Sequence, residues 1–135
     1  FVVQAEQDPG TTERPGTPRA AAQIIKGWVD ATGAAHERVF TVATAPSATT
    51  VDPATCARPT GGAPRLCALW QDPEFDPQVA AFYYVRVVEL PTCRWSTVEC
   101  NALPAADRPV GCEDPKIEKV ISERGWTSPI FFAPN

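Results

Sequence analysis

The sequence predicts an all-β fold, an immunoglobulin-like β-sandwich segment with long proline-rich loops. Fifteen prolines among 135 residues interrupt any helical pattern, because proline lacks the backbone donor that helix interiors and central strands need. Hydrophobic residues make up 44% of the chain, which is enough for a core. β-branched and aromatic residues cluster in short runs between turn residues, as is typical of strands.

The first predicted element is a β-hairpin that follows a loop. Residues 1–22 are rich in Pro, Gly, Thr and charge, so we assign them to a loop or boundary segment. A β-sandwich-like C-terminal domain is then expected over 23–135. Two β-rich runs, 23–30 and 36–43, flank a Gly-containing turn, which is a hairpin pattern. Both runs carry apolar residues on both faces, as in a strand pair covered on each side.

Three further strands are predicted. The run 65–70 indicates a short buried strand, which ends at 72–77, where two Asp-Pro steps favour turns. The run 80–90 is the strongest strand pattern, typical of a sheet centre. The last strand is expected at 126–132, where Pro129 indicates an edge position or a bulge.

The five predicted strands are fewer than the roughly seven of an immunoglobulin-like sandwich. The segment 116–125 fits either one short helix or an extended connection. The chain contains no Met and opens at Phe1, so we expect it to be part of a larger parent protein. The missing strands would then lie upstream.

Composition argues against two classes of partner. The formal net charge is −4, and no basic run could neutralise a series of phosphates, so nucleic-acid binding is not expected. No stretch approaches the roughly 18–20 apolar residues of a membrane span.

The five cysteines indicate disulfides in an oxidising compartment, and hence an exported protein, periplasmic or extracellular. No CxxC pair occurs and the chain has a single histidine, so a structural zinc site is poorly supported. We expect Cys56 to pair with Cys67, and Cys112 to pair with either Cys100 or Cys93. The odd thiol is then free or bonded to a segment outside the chain.

One acidic segment is the best metal candidate in the sequence. Asp72, Glu74 and Asp76 alternate, and such carboxylates could bind a calcium ion. The interleaved prolines favour the alternative of a rigid turn whose Asp side chains bond the backbone. His36 lacks a second nearby ligand and is expected to be a solvated turn residue.

Arg86, Arg94 and Trp95 are the candidates for ligand contact. Arginine suits bidentate contacts to carboxylate or phosphate, and tryptophan can serve as a platform for sugars. The alternative is structural: Arg86 would form an ion pair with a residue such as Glu89 or Asp30, and Trp95 would cap the core. For the four tryptophans together, core packing is the expected role.

Five sequence strings carry a family resemblance. They are QIIKGWVD, HERVF, LWQDPEFDP, AFYYVRVVELPTCRWST and ERGWTSPIFF, in that order. From about Gln23 to Phe132 the chain resembles the C-terminal region of a secreted bacterial family, domain of unknown function 3604 (DUF3604). The resemblance implies an exported protein of several hundred residues, similar to metal-dependent hydrolases of the polymerase-and-histidinol-phosphatase (PHP) type. It places the His and Asp metal ligands upstream of this chain.

We therefore expect no catalytic residue and no cofactor in this chain, with a divalent metal and any hydrolase activity in the upstream part. The first functional interpretation is an accessory β-domain that packs on the upstream domain of the same polypeptide, which requires an exposed apolar docking face. The alternative is a stand-alone secreted module that binds carbohydrate or protein, which would favour exposed tryptophans on one flat face. A catalytic role for the chain itself would need several carboxylates in one pocket.

Overall fold

A computed structural model describes residues 1–46 and 49–134 of the chain. Nine β-strands and one short α-helix account for the regular structure of these residues, together with two single-turn 3₁₀ helices. The strands are β1 (Val2–Glu6), β2 (Arg19–Val29), β3 (Ala35–Thr44), β4 (Arg65–Leu69), β5 (Ala81–Glu89), β6 (Thr92–Cys93), β7 (Val120–Ile121), β8 (Arg124–Trp126) and β9 (Ile130–Phe132). The helix α1 spans Trp95–Ala102, and the 3₁₀ turns span Ala105–Asp107 and Val110–Cys112. The predicted all-β class is confirmed.

The main sheet has five antiparallel strands with β5 at its centre. Its order is β3-β2-β5, and β8 and β9 both pair with the far side of β5. β8 pairs with Arg86–Val88 and β9 with Ala81–Tyr83. Pro129 lies between β8 and β9, because proline cannot donate to the ladder. The central position of the run 80–90 is confirmed. The single strand predicted at 126–132 is corrected, because residues 127–129 interrupt it and leave two short strands at the edge of the sheet.

The predicted hairpin is formed by β2 and β3, and the turn residues explain why it closes there. Gly33 has a φ of +87°, which suits glycine in the loop between β2 and β3. The Asp30 carboxylate accepts hydrogen bonds from the backbone N–H groups of Thr32 and Ala34, at 2.8 and 3.0 Å. The hydroxyl of Thr32 and the ring of His36 also bond this carboxylate, and these bonds lower the pKa of Asp30.

The core lies between the main sheet and a second, two-stranded sheet of β1 and β4. Side chains from both sheets meet there and are almost fully buried: Val3, Ala5, Ala22, Ile24, Leu66, Ala81 and Tyr83. Trp28 and Trp70 pack against this cluster with part of their surface exposed. The arrangement is sandwich-like, with the smaller sheet covering one face of the larger.

The assignment of residues 1–22 to a loop is wrong at both ends, whereas residues 7–18 contain no strand or helix. β1 occupies Val2–Glu6 and β2 begins at Arg19, four residues before the predicted domain boundary at residue 23. The run Val2–Glu6 is short and has only two inward side chains, Val3 and Ala5, so its pattern is weak in isolation. Its pairing with β4, about sixty residues away, makes it a strand.

Three other expectations are corrected. β3 has no buried side chain and lies at the sheet edge, so the hairpin is not covered on both sides. β4 buries only Leu66, because its alternate residues face outward. The alternative of one short helix at 116–125 is wrong: this segment supplies β7 and part of β8, and the α-helix lies at Trp95–Ala102 instead.

Candidate functional site

The candidate site is the outer face of the main sheet, opposite the core. Residues directly opposite each other on antiparallel strands share a face. Phe82 on β5 lies opposite Phe131 on β9, and Arg86 lies opposite Trp126 on β8. Tyr84 lies between them on the same face of β5. We call these five residues the aromatic face.

The rings of Phe82 and Tyr84 lie on the face of the sheet beside the neighbouring strand β2. A Cβ atom at Gly27 would lie 2.2 Å from Cζ of Phe82, so the Phe82 ring occupies the space above that glycine. Ile25, opposite Tyr84 on β2, has no exposed surface although it faces outward. The rings of Phe82 and Tyr84 are nearly parallel, at 9°, with centroids 6.3 Å apart. Together they form a flat apolar surface.

The rest of this face remains open to solvent. Phe131 is 75% exposed and Trp126 is 61% exposed. Val29 and Val39 add exposed aliphatic surface at the β2–β3 end of the sheet. Contiguous exposed surface of this kind marks interaction sites in soluble proteins. The aromatic face is therefore a candidate interaction surface.

A polar row crosses the aromatic face beside the rings. The Nε of Arg86 donates to Oε1 of Gln23 at 2.8 Å, and Nε2 of Gln23 donates to Oγ1 of Thr41 at 3.3 Å. The predicted ion pair of Arg86 with Glu89 or Asp30 is wrong. Glu89 pairs with Arg19 instead, and Asp30 contacts His36.

Arg94 and Trp95, predicted to act with Arg86, lie elsewhere. Arg94 immediately precedes α1 and Trp95 is its first residue. Trp95 is 70% exposed and its indole N–H donates to Oε1 of Glu99 at 3.0 Å, so it does not cap the core. No hydrogen bond or ion pair between described residues links either of them to Arg86.

The tryptophans do not form one flat face. Trp28 and Trp70 pack at the core, as expected, and the His36 ring stacks on Trp28 at 5.2 Å. Trp95 and Trp126 are exposed at two separate places, which corrects the expectation that all four belong to the core. The aromatic face is built mainly from Phe and Tyr.

Asp72 belongs to a buried network on the core side of the sheet. Its Oδ2 accepts hydrogen bonds from Nζ of Lys26 at 2.6 Å and from Oη of Tyr83 at 2.7 Å. Nζ of Lys26 also donates to the carbonyl oxygen of Glu74 at 2.7 Å. Burial opposes ionisation of Asp72, but the bonds from Lys26 and Tyr83 prevail and lower its pKa. Burial and the bond to Asp72 raise the pKa of Tyr83.

The structure does not assemble Asp72, Glu74 and Asp76 into a calcium site. Glu74 forms an ion pair with Arg38. The side chains of Asp72 and Asp76 accept bonds from backbone N–H groups two residues onward, at 2.9 and 2.8 Å, as in the rigid-turn alternative. Among the residues that the structure describes, no group of three or more His, Cys, Asp or Glu side chains is placed to hold a metal ion.

The predicted Cys56–Cys67 bridge is wrong. The structure pairs Cys56 with Cys93 and Cys100 with Cys112, and leaves Cys67 as a free, exposed thiol. Cys67 faces outward on β4, opposite Gln4, whereas the loop that carries Cys56 reaches β6. Cys67 is closer to Cys56 in sequence, but the path of the chain between the strands brings Cys93, and not Cys67, next to Cys56. The pairing of Cys112 with Cys100 is one of the two predicted alternatives.

The sequence pattern of β5 indicates an apolar outer face but does not distinguish it from the core face. Phe82, Tyr84 and Arg86 alternate with Tyr83, Val85 and Val87, so both faces of β5 look apolar. Only the position of the β1–β4 sheet decides which set is buried.

No helix in the described ranges is long and apolar enough to cross a membrane.

Comparison with known proteins identifies the family. Neither the curated proteins nor the solved structures contain a significant match. A family model described as "Protein of unknown function (DUF3604)" matches residues 1–134, so the match includes β1 and begins well before the predicted start near Gln23. The chain belongs to the DUF3604 family, over essentially its whole length.

Proposed function

We propose that this chain is the C-terminal accessory β-domain of a larger exported protein, and that it packs through the aromatic face onto an upstream domain of the same polypeptide. The observation that carries the proposal is the uncovered aromatic face itself, with Trp126 and Phe131 mostly exposed on an ordered sheet. The upstream domain resembles metal-dependent hydrolases of the PHP type. It holds the divalent metal, and the accessory domain shapes or shields that site.

The energetics favour docking of a tethered domain. A large aromatic side chain buries about 150–250 Å² when fully covered. At about 25 cal/mol per Å² of apolar surface, covering the exposed parts of Trp126 and Phe131 contributes on the order of several kcal/mol. A covalent link between domains sets an effective concentration of about millimolar, so this contribution suffices for stable docking.

The disulfides agree with export of the protein. Two disulfides join residues of this chain, and such bonds persist in oxidising compartments. We place the protein in the periplasm or the extracellular space on this basis.

The alternative of a stand-alone carbohydrate-binding module is less well supported. That interpretation favours several exposed tryptophans on one flat face, and only Trp126 lies on the aromatic face. Trp95 lies on α1, and the remaining two pack at the core. A face made mainly of Phe and Tyr, with adjacent aliphatic side chains, suits protein contact better.

The test is hydroxyl-radical footprinting of the full-length gene product, read by mass spectrometry for each residue. Trp126 and Trp95 have similar exposure in this domain, 61% and 70%, so undocked domains should oxidise the two at similar rates. Docking through the aromatic face is expected to lower oxidation of Trp126 several-fold relative to Trp95. Phe131 should be protected together with Trp126. Equal oxidation of the two tryptophans in the full-length protein would rule out the proposed docking.

A further inference from the structure

Arg86 differs from the other half-buried arginines in lacking an acidic partner. Within residues 1–46 and 49–134, three arginines are partly buried: Arg19, Arg86 and Arg108. Arg19 pairs with Glu89 and Arg108 with Glu113, whereas Arg86 forms no ion pair with any described residue. A guanidinium at one end of the aromatic face is therefore left without a countercharge among the described residues.

The guanidinium is held in place while its terminal nitrogens remain available. Nε of Arg86 donates to Gln23, and Gln23 is itself anchored to Thr41 on the edge strand. Trp126 lies directly opposite Arg86, and Arg124 follows on the same face, exposed and unpaired among the described residues. Two arginines without an ion-pair partner among the described residues, Arg86 and Arg124, therefore lie at this end of the face, although the chain as a whole has a formal net charge of −4.

We propose that Arg86 is the receptor for a carboxylate carried by the docked upstream domain, an inference that rests on the proposed function. If an apolar surface covered Arg86 without a countercharge, an unpaired charge would be buried, which is strongly unfavourable. Arginine binds carboxylates through two parallel hydrogen bonds, and its fork geometry selects them over a single-point acceptor. The partner surface is therefore apolar and carries an Asp or Glu side chain opposite Arg86.

The first experiment compares two substitutions in the full-length protein. Arg86→Met retains an apolar stem but removes the charge, and leaves the partner carboxylate buried and unpaired. Truncating one member of such a pair weakens docking by roughly 30-fold or more. We expect oxidation of Trp126 to rise toward that of Trp95 in this variant. Arg124→Met, on the same face but at an exposed position, is the matched control and should retain protection.

The second experiment identifies the carboxylate directly. Arg86→Lys keeps the positive charge and introduces an amine that a zero-length carbodiimide reagent can couple to a carboxylate in ionic contact. Peptide mapping of the treated full-length protein is expected to find β5 linked to an Asp or Glu outside residues 1–134. Coupling only to acids within this chain, such as Glu37 or Glu123, would overturn the proposal.

The outcomes separate the two proposals. If Trp126 is as reactive as Trp95 in the unmodified full-length protein, the domain is not docked through this face and both proposals fail. If Trp126 is protected but Arg86→Met leaves that protection unchanged and no cross-link forms, docking stands and the carboxylate receptor is rejected. Thermal unfolding of each variant reports separately whether the fold is retained.

Discussion

Replacing Lys26 with Met is expected to lower the free energy of unfolding by about 3–5 kcal/mol, the cost of leaving a buried carboxylate without its countercharge. The Lys26 and Asp72 side chains are only 7% and 3% exposed, and their 2.6 Å contact joins β2 to the turn at 72–77. Tyr83 would remain as a donor to Asp72 but cannot neutralise it. Urea unfolding of the 135-residue chain, followed by tryptophan fluorescence, measures the loss.

Two further variants test the reason for this loss. Adding Asp72→Leu to Lys26→Met removes the orphaned charge, so the double variant should be more stable than Lys26→Met alone. Arg65→Met breaks the solvent-exposed pair with Glu6 on the β1–β4 sheet, and should change stability little. A double variant less stable than Lys26→Met would show that packing, and not the unpaired charge, dominates.

The Lys26–Asp72 pair also makes the free energy of unfolding depend on pH. The pKa of Asp72 in the folded protein is below its ordinary value, so the unfolded chain binds the proton more readily. The contribution of Asp72 is therefore fully present above the ordinary carboxyl pKa, and it is lost as the pH falls through the lower folded pKa. Asp72→Asn should flatten the acid side of the stability profile. Unchanged acid dependence in that variant would contradict the assignment.

The elements predictable from sequence were those whose signals are local. The hairpin of β2 and β3 follows from two β-rich runs around Gly33, and its turn is closed by the Asp30 side chain within the same loop. The central strand β5 follows from an unbroken run of β-branched and aromatic residues. The family resemblance added the family, and the family match confirms it.

The errors concern features that depend on distant contacts. β1 is a strand only because it pairs with β4, and Cys56 reaches Cys93 only because the loop before β4 passes β6. The buried role of Asp72 requires Lys26, 46 residues earlier, to point at the turn. The aromatic face could not be told from the core face, because the alternation on β5 is apolar on both sides.

Removal of the Cys56–Cys93 bridge is expected to lower the free energy of unfolding by about 4 kcal/mol in the chain-entropy model, for a sequence separation of 37. Removal of Cys100–Cys112, with a separation of 12, should cost about 3 kcal/mol. Paired Cys→Ser variants, unfolded in urea without reductant, measure both losses. Cys67→Ser is the control and should be nearly neutral, because Cys67 is exposed and free.

The Cys56–Cys93 and Cys100–Cys112 disulfides are also expected to stabilise different parts of the chain. α1 has eight residues and no side-chain cap at its N-terminus, and isolated helices shorter than about 12 residues are marginal in water. Without Cys100–Cys112, α1 should therefore lose amide-exchange protection while β2 and β5 keep theirs. Without Cys56–Cys93, the loop before β4 is released, although Asn101 still donates to Pro53 at 2.8 Å. Equal loss of protection in the sheet and helix after removing Cys100–Cys112 would mean that this segment and the sandwich unfold as one unit.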